Sequence, residues 1–179
     1  ADYLEQRGAD TDLPAESPYL QGLAVVLEAR TGKLLAMVGG RDFNDSKFNR
    51  AVQAVRQAGS TFKPIVYTAA LRAGHPWSEI IEDTPLSMEM TPGEPAWEPQ
   101  NYDNKFAGPM SLKEAFYESR NIPAIRVGDD IGPGAVVGEA ARFGISTPVP
   151  PYPSTYIGAA SVIPLEMIAA FSPFATLGI

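Results

Sequence analysis

The sequence predicts an α/β (α+β) chain, with a helical cluster packed on part of an antiparallel sheet. Three observations predict it. Residues 22–40, GLAVVLEARTGKLLAMVGG, hold two apolar runs around Thr31-Gly32, the pattern of a hairpin. Apolar residues recur at helical spacing in several later stretches. The chain has 179 residues, 45% hydrophobic and 20% charged, which is enough for one domain with a real core and too apolar for disorder.

Taken in order, residues 1–21 are polar and Pro-containing, and read as a linker or approach segment. Residues 22–179 read as one domain. Its first strands are expected from Leu23 to Glu28 and from Lys33 to Val38, joined by a tight turn. Their almost continuous apolar content predicts a sheet buried mostly on one face and partly on the other. RDFNDSKFNRAVQAVRQAG is loop-like, with a short helix expected at its end. STFKPIVYTAALRAG reads as a helix, with Phe62, Ile65, Val66, Ala69 and Ala70 on one face and Gly74 as its C-cap. Residues 75–110 carry Pro76, Pro85, Pro92, Pro95, Pro99 and Pro109, and are expected to be a long irregular excursion. Helical patterns return at SLKEAFYESR, GPGAVVGEAARFGI and IPLEMIAAFSPFATLGI. Ser111 and Glu114 have capping-box spacing.

Composition excludes several function classes. A net charge of -7 argues against a nucleic-acid backbone binder, which needs excess Lys and Arg. Cysteine is absent, which removes disulfides, thiolate metal sites and a Cys nucleophile. No metal or cofactor is expected. No apolar run reaches 18 residues and ADYLEQRGAD is not a signal peptide, so any export signal or membrane anchor is expected in a longer parent chain. Both ends read as cut.

The candidate nucleophile lies in Gly59-Ser60-Thr61-Phe62-Lys63-Pro64. A serine hydroxyl needs a base to take its proton. If Ser60 starts a helix, Lys63 lies one turn on, on the same face. Lysine serves as a base only where burial or nearby positive charge lowers its pKa. Gly59 would keep the approach to Ser60 open. Pro64 disfavours helical geometry at Lys63, although proline is tolerated in a first turn. Ser-x-x-Lys is a weak signal, since roughly one chance match is expected at ordinary residue frequencies. The plain alternative is an N-cap serine and a solvated lysine. Ser119-Arg120-Asn121 places a hydroxyl and an amide two residues apart; alone, it reads equally as a helix end and a turn.

Together, and in order, these pieces resemble the transpeptidase domain of class A penicillin-binding proteins, penicillin-recognising serine acyltransferases. The resemblance runs through TGKLLAMVGG, FNRAVQAVRQAGSTFKPIVYTAAL, WEPQNY, GPMSLKEAFYESRNIPAIRV, ARFGI and YIGAASVIPLEMIAAFSPFATLG. It implies a D,D-transpeptidase of cell-wall peptidoglycan synthesis, extracytoplasmic and membrane-anchored through its parent chain. Ser60 would attack D-Ala–D-Ala stem peptides, with Lys63 as general base. Ser119 would relay the proton, and Asn121 would orient Lys63 and the substrate amide. Beta-lactam antibiotics would acylate Ser60.

Trp97 and Tyr102 are candidates to line the substrate groove, with plain packing an equal alternative. His75 fits a loop or capping role better than catalysis. One departure matters: the family's third motif, Lys-Thr-Gly on a later strand, occurs nowhere in the 179 residues. The resemblance therefore covers the N-terminal and central part of the domain. The missing strand is expected from a second chain or segment, and this chain alone is expected to be weakly active or inactive. Ala58 stands where many relatives have proline. The competing readings are a non-catalytic beta-lactam sensor or peptidoglycan-binding module, and a D,D-carboxypeptidase or beta-lactamase.

Overall fold

A computed structural model describes residues 20–178. The expected linker lies, except for Leu20 and Gln21, outside the described residues. The chain divides into two compact units.

The first unit holds the chain up to Arg56, Phe143–Thr147 and the segment from Ser161 onward. Strands β1 (Ala24–Leu27) and β2 (Leu34–Val38) form the expected antiparallel hairpin, with Ala24 opposite Val38. The turn closes through Glu28 N–H to Lys33 O (2.8 Å) and Gly32 N–H to Glu28 O (2.8 Å), with Gly32 at φ 68°. The expected burial is not observed. Val26, Leu35 and Val38 are 51%, 62% and 56% exposed, and both faces of β2 are open. β1 touches the helix Pro164–Ala169 and its Val25 and Leu27 are half-buried, but nothing comparable covers β2, as expected of a two-stranded ribbon. After the hairpin, a Cβ on Gly39 would lie 2.8 Å from the Asn49 Cα, so only glycine fits that crossing. The C-terminal helical pattern splits into two short helices, Pro164–Ala169 and Ser172–Thr176. Pro173 explains the break, because it opens a new first turn and cannot continue the old one. Glu166 fastens the first of these helices, accepting bonds from Thr147 N–H (3.1 Å) and Thr147 Oγ1 (2.6 Å).

The second unit, Gln57–Arg142 with Pro148–Ala160, carries every candidate catalytic residue. A 3-10 turn, Gly59–Phe62, leads directly into helix α1 (Lys63–Ala73). Phe62, Ile65, Val66, Ala69 and Ala70 are all buried, and Gly74 caps the helix at φ 107°. The Pro-rich excursion is less irregular than expected. Strands β3 (Ile80–Asp83) and β4 (Gly108–Ser111) pair antiparallel across it, with Asp83 opposite Gly108. Helix α2 (Leu112–Tyr117) begins at the expected Ser111–Glu114 capping box.

Helix α3 (Asn121–Ile131) was not among the sequence expectations, yet it forms the centre of the unit. Ile122, Ala124 and Ile125 are 0% exposed. Pro123 and Gly128 disguise it. Pro123 sits in the first turn, where a missing N–H costs nothing. Gly128 is required by packing: a Cβ there would lie 2.5 Å from the ring of buried Tyr156. Helix α4 (Pro133–Arg142) packs on α1, with the Arg72 guanidinium 2.9 Å from the buried Glu139 carboxylate.

Candidate active site

Ser60 lies within the 3-10 turn rather than at the start of the α-helix, and its side chain is exposed. The turn is braced from behind by backbone. Ala58 N–H donates to Ala160 O (3.0 Å), and Gly59 N–H donates to Gly158 O (2.9 Å). Gly59 adopts φ 56°, a conformation that favours glycine. A Cβ on Gly158 would come within 1.8 Å of Gly59 O, so the segment that braces the Ser60 turn can approach only because it is glycine. The strain anticipated from Pro64 is absorbed: Lys63 keeps helical angles (φ -55°, ψ -39°), and its N–H bonds to Ser60 O.

Lys63 is 2% exposed, a charged side chain buried in a helical core. Its Nζ donates to Asn121 Oδ1 (2.7 Å), to Ser119 Oγ (3.1 Å) and to the Ser119 carbonyl. Two motifs more than fifty residues apart in sequence therefore meet at one nitrogen. Burial first, and the positive charge of Arg120 second, lower the lysine to about 8.

Both partners are placed by local backbone chemistry. Helix α2 ends in a Schellman motif, with Arg120 N–H to Ala115 O (3.0 Å) and Ser119 N–H to Phe116 O (3.1 Å). The left-handed position of that motif is normally glycine. Here it is Ser119, at φ 55°. A non-glycine residue there carries strain of order 1–3 kcal/mol, and such outliers gather at functional sites. The turn aims both the hydroxyl and the carbonyl of Ser119 at Lys63. Asn121 opens helix α3. Its Nδ2 donates to Gln100 O (2.8 Å), which leaves Oδ1 facing Lys63. The Asn101 side chain caps that helix from a distant loop, accepting from Asn121 N–H (2.8 Å) and Ile122 N–H (3.3 Å). Sequence reading did not single out Asn101. A lone asparagine in a Pro-rich loop carries no spacing signal toward a helix twenty residues on.

The other candidates are not drawn into this cluster. Trp97 pairs through its backbone with Met88, and Tyr102 is fully exposed. Among the described residues, no hydrogen bond or ring contact joins either side chain to Lys63 or its partners. His75 takes the loop role, with Nδ1 3.0 Å from Glu79 and Nε2 3.5 Å from Asp130.

Comparison with known proteins gives the family. Residues 22–179 match the penicillin binding protein transpeptidase domain family. The chain is 42% identical to penicillin-binding protein 1A of Neisseria meningitidis over 165 residues, 91% of this chain and 21% of that protein. It is 42% identical to the Rickettsia typhi penicillin-binding protein 1A over 129 residues, 72% of this chain and 16% of that protein. Its fold is similar to the crystal structure of penicillin-binding protein 1A from Haemophilus influenzae, with a TM-score of 0.80 and 37% identity, over 86% of this chain and 23% of that one. A ceftriaxone acyl-enzyme complex of Mycobacterium tuberculosis penicillin-binding protein A is similar with a TM-score of 0.72 and 26% identity, over 87% of this chain and 45% of that one. The chain spans about a fifth of the length of the curated Neisseria relatives. With an incomplete mixed fold of helices and a few strands, it belongs to the family of penicillin-binding protein transpeptidase domains, in the class A branch.

Proposed function

We propose that the chain carries the nucleophile half of a D,D-transpeptidase of peptidoglycan synthesis. The observation that carries this reading is the buried Lys63 amine, held between Ser119 and Asn121 one turn beyond an exposed Ser60. A lysine ammonium has three donors, and all three are used here. A neutral amine has two donors and one lone pair, so one partner must reverse its role. The Ser119 carbonyl and Asn121 Oδ1 can only accept. The Ser119 hydroxyl alone can donate, which makes it the proton relay.

The Ser60 Oγ attacks the carbonyl carbon between the terminal D-Ala residues of a stem peptide; its proton passes to the Ser119 oxygen as the Ser119 hydroxyl proton moves to the lone pair of neutral Lys63. The C–N bond then breaks. The proton returns through Ser119 to the leaving amine, and D-Ala departs. An amine of a neighbouring stem attacks the Ser60 ester and gives up a proton to Lys63; the C–O bond breaks, the Ser60 oxygen takes the proton back, and a cross-link forms. A beta-lactam follows the first half of this path, but its leaving amine stays tethered and the ester persists. Asn121 orients Lys63 and the donor amide, while Gly59 leaves the approach to Ser60 open. Trp97 and Tyr102 remain candidates for a groove that the described residues do not yet form.

Residues 22–179 are read as the N-terminal and central part of the domain. The Lys-Thr-Gly strand comes from another segment or chain, and a parent-chain anchor holds the protein at the outer face of the cytoplasmic membrane. Among the described residues, no helix is long and apolar enough to cross a membrane. Adding a polypeptide that carries the downstream strands tests this reading. Penicillin acylation of the chain should rise well above that of the 179-residue piece; full activity without it would contradict the need for that strand.

A further inference from the structure

Of the buried charges that the proposed acyl-transfer chemistry leaves unused, one is tied to the residues that hold Lys63. Asp83, at the end of β3, is 0% exposed. Its Oδ2 accepts from Arg120 Nε (2.8 Å) and Ala107 N–H (3.0 Å), and lies 2.7 Å from Arg120 Nη2 in an ion pair. Its Oδ1 accepts from Asn101 Nδ2 (2.7 Å). Three hydrogen bonds and the ion pair with Arg120 fix its position.

The positions of those donors matter more than their number. Arg120 is the residue between Ser119 and Asn121, whose three oxygens take the three Lys63 bonds. Asn101 turns its other end to the N–H groups of Asn121 and Ile122. Asp83 is therefore one side chain removed from the backbone on both sides of the Lys63 cage. Arg120 is pinned further by Lys105 O (2.6 Å) and Asp103 (3.2 Å). The ion pair thus sits on the tripeptide that holds the Lys63 amine.

We propose that Asp83, Arg120 and Asn101 form the positioning unit of the acylation reaction, fixing Ser119 and Asn121 on Lys63 and placing a held positive charge beside it. None of the three touches substrate in this scheme; they act through Lys63. This rests on the transpeptidase reading of the site. Of the charged groups on the segments around Lys63, Asp83 and Asp103 each pair with Arg120; Glu98, Lys105, Lys113, Glu114 and Glu118 are exposed, and Arg126, Asp129 and Asp130 lie further along α3. Arg120 is the one whose charge bears on the lysine. Removing that charge favours the ammonium, so the base form appears at higher pH and the rate at neutral pH falls.

Two variants separate charge from position. Asp83→Asn with Arg120→Gln removes both charges without stranding either. Arg120→Lys keeps the charge but loses the planar fork. Lys63 is titrated by NMR of its Cε in the 179-residue chain, and penicillin acylation is followed against pH in the parent protein. The double variant should move the Lys63 midpoint up from about 8. It should also carry the acid limb of acylation with it, and slow acylation at pH 7 about tenfold per pH unit moved. Arg120→Lys should leave the midpoint and limb in place and still slow acylation about tenfold, with little change in penicillin affinity. The proposal is overturned if the midpoint and limb stay put in the double variant, or if Arg120→Lys acylates like wild type. Should the double variant fail to fold, the Arg120→Lys rate decides. If the wild-type parent takes no penicillin, the transpeptidase reading fails, and the Lys63 titration still reports on the pair.

Discussion

The hairpin and the Lys63 cluster use opposite means to hold apolar sequence. In the hairpin, Val26, Leu34, Leu35 and Val38 lie open to solvent on a two-stranded ribbon. In the cluster, Phe62, Ile65, Ile122 and Ile125 are sealed around a buried lysine whose Nζ makes three hydrogen bonds. The cluster completes itself within 57–142 and 148–160; the hairpin does not complete itself within its own unit. The difference teaches that Lys63, Ser119 and Asn121 are held together by contacts within one unit. The hairpin, by contrast, leaves much of its apolar surface open.

The largest effect should come from the cluster's centre. Lys63→Met should slow acylation of the parent protein about 10²- to 10⁴-fold, the usual worth of a general base, as read by stopped-flow with a chromogenic penicillin. The wild-type rate should rise with pH about a midpoint near 8, where Lys63 loses its proton. A flat profile from pH 6 to 9 would remove lysine as base.

Stability should also distinguish the two regions. Ile125→Ala, at 0% exposure, should cost about 2–5 kcal/mol in denaturant unfolding. Leu35→Ala, 62% exposed, should cost no more than about 0.5 kcal/mol in this chain. In a chain carrying the downstream strands the Leu35 cost should grow. An unchanged cost there would show that the hairpin's apolar surface is not waiting for a sheet.

A subtler comparison isolates the strained turn. Ser119→Ala and Ser119→Gly both delete the relay hydroxyl, and both should lose acylation alike. Only glycine suits φ 55°, so the glycine variant should be more stable than the alanine variant by about 1 kcal/mol. Equal stabilities would mean that the turn stores no strain.

The pH dependence of folding gives the smallest signal. Folded Lys63 loses its proton at about 8 rather than 10.5, so between those values the unfolded chain binds more protons and stability rises with pH. Burial, with the Asp83 charge second, raises Tyr67 above its ordinary 10.0, which reverses the trend at higher pH. Lys63→Met should abolish the rise and leave the fall.

Legibility in sequence followed the range of the interactions. The hairpin turn, the Gly74 cap and the Ser111–Glu114 box were readable because each is a contact within a few residues. Helix α3 was not, because Pro123 and Gly128 look like breakers until the first-turn position of one and the Tyr156 ring against the other are known. Ser60, Lys63, Ser119 and Asn121 were legible only as a set, through resemblance. Asp83 and Asn101 were invisible, since their bonds reach 18 to 37 residues along the chain to partners that no local pattern indicates.

Fluorescent-penicillin labelling of the intact parent protein, with the adduct mapped by mass spectrometry, tests the central claim most directly. The account predicts one covalent adduct, on Ser60, lost in Ser60→Ala. An unlabelled wild-type protein, or a Ser60→Ala protein labelled as before, would contradict it.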